Sequence, residues 1–253
     1  MKSSEPQLKI GFTTADQVIR RIVSTGTKEI DDLLRGGLEL GLTHLFFGNR
    51  DLHEDILRLA VHIQLPQKQG GLNSPAIIVD SANILKVDQI SDVAYELGLE
   101  PEEVMDRIYI SRAFNASQTY DLIMNQLDSF FARISAKLLI ITGLPNLYLE
   151  EGLTGEKLQE ISHMITKITT FTLRRELATV VTAPKVEQTK NIPAGGQTLA
   201  SSTQIHVRVD QSSSYVKYFL SKHPQFPEHT TSRMKPTRYS RTLPLSYFLR
   251  EEE

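Results

Sequence analysis

The sequence predicts an α/β fold built on a mostly parallel sheet with helices on both faces. Short apolar runs at 43–47, 75–80, 107–114, 137–142 and 178–183 alternate with amphipathic segments. The runs PAIIVD, KLLIIT and ATVVTA are nearly continuous in apolar residues, as in strands buried on both faces. Only the last part, TQIHVRVD, QSSS and YVKYFLS at 203–221, reads as an antiparallel hairpin.

In order along the chain, residues 1–23 are a polar leader with one hydrophobic piece, IGFTTADQVI. STGTKEIDDLLRGG (24–37) is a short helix capped by Ser24 or Thr25 and ended by Gly36-Gly37. The segment 55–63 places Ile56, Leu59, Ala60 and Ile63 on one helical face. Residues 87–98 form a capped amphipathic helix ending at Gly98, and helices follow over 119–134 and from about Gly155 to Glu176. The domain plan is a leader (1–23), an α/β core (24–228) and a basic tail (229–253).

Apolar content of 40% and charged content of 23% are those of an ordinary globular protein, so a proper core is expected. With no cysteine, disulfides and thiolate metal sites are excluded. The histidines show no metal-ligand spacing, and His44 and His53 read as structural. No apolar run approaches the ~18 residues of a membrane span, and the start lacks a signal-peptide core. The expectation is a cytoplasmic protein with no membrane partner. A net charge of −2 does not mark the whole chain as a polyanion binder, yet its cations crowd toward the end.

The stretch LTHLFFGNRDLHEDILRLAVHIQLP (42–66) has the layout of a phosphate-binding loop: strand, glycine, polar loop, helix. It has one glycine, Gly48, and no lysine. Glu54 and Asp55 fall in the first helical turn, where they complement the helix dipole and would repel a triphosphate.

The ordered segments GFTTADQVI, STGTKEIDDLLRGGLELG, LAVHIQLP, GGLNSPAIIVD, YELGLEPEEVMDRIYISRAFN and PAGGQTLA resemble archaeal RadA and the eukaryotic strand-exchange recombinases, from about Ile10 to Glu228. The resemblance implies a RecA-like P-loop NTPase core, here without the small helical DNA-binding domain that usually precedes it. By that resemblance Leu52 stands at the phosphate-binding lysine and His53 at the magnesium-binding Ser/Thr. Thr142 stands at the magnesium aspartate and Ala82 at the catalytic glutamate. ATP and magnesium are therefore expected to bind weakly or not at all, and the chain is expected not to be an enzyme.

Other family features are retained or altered. Phe12 and Ala15 match the Phe-x-x-Ala strand by which family members dock on a neighbouring core, implying a RadA-type recombinase partner or self-association. Ser111 and Ala113 match part of the pocket that accepts such a strand. Lys222 stands where the family has an aspartate that caps an adjacent subunit's ATP, so a contact in trans is a candidate role. The two DNA loops match 148–157, which is acidic at Glu150 and Glu151, and 184–196, which carries Lys185 and Lys190. Arg233, Lys235, Arg238, Tyr239 and Arg241 of the tail complete the candidate contacts to single-stranded DNA.

The function this implies is that of a non-catalytic recombinase paralogue that modulates a recombinase filament in homologous recombination and repair. Such a protein would be nucleoid-associated, or nuclear in a eukaryote. Two other readings stay open: a single-stranded DNA-binding accessory protein acting without the recombinase, and a residual nucleotide-binding protein with a phosphate site around Arg50 and His53.

Overall fold

A computed structural model describes residues 20–48, 53–186 and 192–235, with the side chain of His53 left aside. A two-residue strand β1 (Ile22–Val23) opens the described chain, followed by α1 (Lys28–Leu33) and β2 (Leu38–Glu39), which pairs with β1. Then come β3 (Thr43–Gly48), α2 (His53–His62), β4 (Ala76–Asp80), α3 (Gln89–Glu96), α4 (Pro101–Met105) and β5 (Ile108–Arg112). The helix predicted over 119–134 is α5 (Ala116–Asp121) and α6 (Leu127–Arg133), joined through one π-helical stretch, Leu122–Gln126. The chain continues with β6 (Leu138–Thr142), α7 (Asn146–Glu150), α8 (Gly155–Arg175), β7 (Ala178–Pro184) and α9 (Gln197–Ser202). It ends in β8 (Ile205–Gln211), β9 (Tyr215–Lys222) and β10 (His229–Met234).

Eight strands form one sheet in the order β10-β9-β8-β3-β7-β6-β4-β5. From β8 to β5 every pairing is parallel, while β9 and β10 add on antiparallel. The continuous apolar runs are explained by two cores. In β6, Leu138 and Ile140 face the core shared with α1, α2 and α3, whereas Leu139 and Ile141 face the core under α6 and α8. All four are fully buried, so each alternate residue stabilises a different layer.

Two local expectations are corrected. Thr27, not Ser24 or Thr25, is the N-cap residue of α1. Ser24 Oγ and Thr25 Oγ1 instead donate to the Asp31 carboxylate at 2.5 and 2.8 Å, turning the preceding loop onto the helix side. Residues 229–234, placed in the tail by their polar composition, form β10, with His229 opposite Leu220 and Met234 opposite Tyr215. Their exposed edge carries Thr, Ser and Met rather than the apolar residues that mark a buried strand. The turn before β10 is fixed by Phe226, whose ring lies under the guanidinium groups of Arg20 and Arg35 at 4.7 and 4.3 Å, with His223 stacked on it.

Candidate functional site

The carboxyl ends of the parallel strands are where a sheet of this kind presents a ligand site. Three of the expected site positions come together there with a fourth residue, Asp80, that was not among them: Gly48 ends β3, Asp80 and Thr142 end the neighbouring strands β4 and β6, and Ala82 stands two residues after Asp80. Gly48 has no room for a side chain, because a Cβ would lie 1.9 Å from the Val209 carbonyl oxygen. That contact explains why the glycine persists in a loop that lacks the others. Leu52 lies outside the described residues, as do Asn49, Arg50 and Asp51.

Asp80 is the carboxylate that remains at the strand tips, and it is completely buried. Thr142 Oγ1 donates to its Oδ1 at 2.6 Å. The backbone N–H groups of Ile84 and Leu85 point at its two oxygens at 3.3 and 3.4 Å, and Arg112 Nε lies 3.5 Å from Oδ2. A second carboxylate at position 142 would face Asp80 at hydrogen-bond distance and would need a cation between them. The threonine supplies a proton donor instead, so the pair needs no metal. Ala82 is packed beside it: a Cβ on Gly143 would come within 2.5 Å of the Ala82 methyl. Among the described positions, the donors do not fit the magnesium nucleotide of a P-loop NTPase core.

The first turn of α2 is also occupied from within. Asp55 is buried, accepting a hydrogen bond from Tyr218 Oη at 2.8 Å and another from Arg233 Nη2 at 3.0 Å. Arg233 Nε donates in turn to the Tyr218 oxygen at 2.9 Å, and Glu54 approaches the same guanidinium at 3.6 Å. Burial pushes the Asp55 carboxyl up against the opposing pull of Arg233. Burial would lower the Arg233 guanidinium, but Asp55 and Tyr218 outweigh it and hold it above its ordinary value. Tyr218 is raised chiefly by burial, then by the Asp55 charge. Arg233, expected among the DNA contacts of a tail, is thus a half-buried ion-pair partner that ties β10 to α2.

This network was missed because its members lie 163 and 178 residues apart in sequence. A signal was present, however. Asp55 sits four residues before Leu59, on the apolar face of α2, where a carboxylate must find a partner.

Lys222 is engaged as well. Its ammonium donates to the carbonyls of Ala200, Ser201 and Thr203 at 3.1, 3.3 and 2.6 Å, capping α9. A contact to a neighbour's phosphate would have to replace these three bonds. His44 has the structural role expected: its Nδ1 meets the Thr179 carbonyl at 3.1 Å and its Nε2 accepts the Glu39 N–H. Complete burial pulls its pKa down to about 4.

In the segments matching the DNA loops, Glu151 takes the Ala116 N–H and Lys157 at 3.1 Å, neutralising that lysine. Lys185 lies 3.7 Å from Asp210, and Lys235 N–H bonds the Ser214 carbonyl. The remaining candidates, Phe12, Ala15, Lys190, Arg238, Tyr239 and Arg241, lie outside the described residues. Ala113 is buried, while Ser111 is half-buried on the edge strand β5.

The model of the Rad51 family matches residues 16–232. The chain belongs to that family. Among curated relatives it is 30% identical, over 188 residues, to the DNA repair and recombination protein RadA of Ignicoccus hospitalis. The match covers 66% of this chain and 57% of that protein, so the chain spans little more than half of its relative's length. No helix among the described residues is long and apolar enough to cross a membrane.

Proposed function

We propose that this member of the Rad51 family is a non-catalytic paralogue that docks on a RadA-type recombinase and modulates its filament in recombination and repair. The observation that carries the reading is the bond from Thr142 to the buried Asp80 carboxylate, which satisfies without a metal the place where a magnesium nucleotide would be held. The Asp55–Tyr218–Arg233 network at the start of α2 supports it, because anionic side chains there oppose phosphate. Docking would run through Phe12 and Ala15, with burial of the phenyl ring contributing about 2–3 kcal/mol. Lys222 is assigned to capping α9 rather than to a neighbour's ATP.

The test is co-elution with the host's RadA-type recombinase, comparing the natural chain with the Phe12→Ala/Ala15→Glu double variant. Binding that the variant loses supports docking through this strand. Failure of the natural chain to bind would remove the proposal and leave DNA binding without the recombinase as the better reading.

A further inference from the structure

The opposite end of the sheet from the emptied site carries a row of cations that neither the motifs nor the proposed docking uses. It follows the amino ends of adjacent strands. Arg107 precedes β5 and holds Asn73 at 2.9 and 3.1 Å; the next residue, Ser74, receives the Lys137 N–H at 2.7 Å. Lys137 precedes β6 and reaches the Arg175 carbonyl at 3.1 Å, and Arg175, at the end of α8, reaches back to the Phe131 carbonyl on α6. Arg133 closes that same α6, Arg174 adjoins Arg175, and Arg21 pairs with Glu176 in the next loop. Arg21, Arg133, Lys137, Arg174 and Arg175 are all exposed. Arg175 is braced against the rings of Phe131 and Phe171 at 5.8 and 4.8 Å, which orders its guanidinium.

Cations at the end of α8 complement its dipole, and that would explain two of them. The same effect accounts for Lys137, which caps the Arg175 carbonyl, and at the end of α6 for Arg133, but not for Arg107 and Arg21, which arrive from the starts of β5 and β1 to join the same row. In a chain of net charge −2, six cations with Glu176 and Asp106 among them form a local positive field. Five are arginines, whose planar forks suit phosphodiester oxygens, and Leu173 is the large exposed apolar side chain beside them, too little for insertion into a lipid surface.

We propose that this row binds the phosphodiester backbone of a nucleic acid, independently of sequence and away from the loops at the other end of the sheet. The inference stands apart from recombinase docking. With about five phosphates neutralised on a single strand, affinity falls about 100-fold between roughly 50 and 200 mM salt.

The experiment is fluorescence anisotropy with a labelled 30-nucleotide DNA strand across that salt range, using the full chain. Among the described residues the side chains of Arg133 and Arg174 make no hydrogen bond or ion pair, so Arg133→Ala/Arg174→Ala is expected to leave the fold intact. This variant is expected to bind at least 10-fold more weakly at the lowest salt, with the slope of log K against log salt reduced by about 1.4. Lys28→Ala/Lys86→Ala, two exposed lysines outside the row and outside the segments matching the DNA loops, is expected to keep the natural slope. The proposal is overturned if the natural chain does not bind the strand, if the arginine variant keeps its affinity and slope, or if phosphatidylserine vesicles are bound and the strand is not.

Discussion

Replacing Arg233 by methionine removes the guanidinium that neutralises a buried carboxylate. Arg233 is 16% exposed and Asp55 7%, so solvent cannot take over the lost interaction. The variant loses the charged hydrogen bond to Asp55 and the one to Tyr218, about 1.5–3 and 1 kcal/mol respectively. Tyr218 keeps its bond to Asp55, and Glu54, exposed at the helix end, contributes little. The expected loss is about 3–5 kcal/mol, the range for breaking a buried pair by removing one partner. For a domain of this size that is roughly 10 °C in Tm.

The sign of the pH dependence follows from Asp55. Burial already raises its pKa against the pull of Arg233, and without the guanidinium the raising is unopposed. The folded variant then binds a proton that the unfolded chain, titrating near ~3.9, does not. Its stability therefore falls as pH rises through that window, and the deficit against the natural chain is largest at neutral pH and shrinks toward acid. Urea unfolding at several pH values reads this directly. The triple change Asp55→Leu/Tyr218→Phe/Arg233→Met removes the three network members together, leaving only the long Thr27 Oγ1 contact to Asp55 at 3.4 Å unmade, and is expected to be near neutral in stability. A single-variant cost below about 1 kcal/mol, or one independent of pH, would mean that the pair contributes no more than a surface ion pair.

Thr142→Asp sets a second carboxylate against Asp80. It is expected to cost about 2–4 kcal/mol at neutral pH, with part of the loss restored by millimolar magnesium in a thermal melt. His44, buried neutral with a pKa near 4, must be charged on acid unfolding. Its folded pKa lies below the unfolded ~6.5, so stability falls as pH drops through that interval, by about 3 kcal/mol for this residue. In His44→Gln the pH slope of urea-derived stability between those values is expected to flatten.

The parallel core was legible because strands buried on both faces leave unbroken apolar runs, and KLLIIT and ATVVTA could hardly be anything else. The short helices α4, α7 and α9, of five or six residues, span too little of the 3.6-residue period to register. β10 escaped because an edge strand can be polar, and HTTSRM reads the same whether it pairs or not. At the site, the missing carboxylate at position 82 and the threonine at 142 were visible residue by residue. What replaced their interactions was not, since Asp80–Thr142 and Asp55–Arg233 are pairs made only by the fold. Lys222 illustrates the same limit: its charge suggested a phosphate, and the last turn of α9 with the residue after it supplied three carbonyls instead.

We propose that the Asp80–Thr142 bond leaves this Rad51-family chain without a place for a magnesium nucleotide. Isothermal titration of the natural chain with a magnesium complex of a non-hydrolysable ATP analogue tests it most directly. No saturable heat is expected at concentrations up to about 1 mM, a binding free energy weaker than roughly −4 kcal/mol. Stoichiometric, saturable binding in the micromolar range that is lost when Thr142 or Asp80 is changed would contradict it.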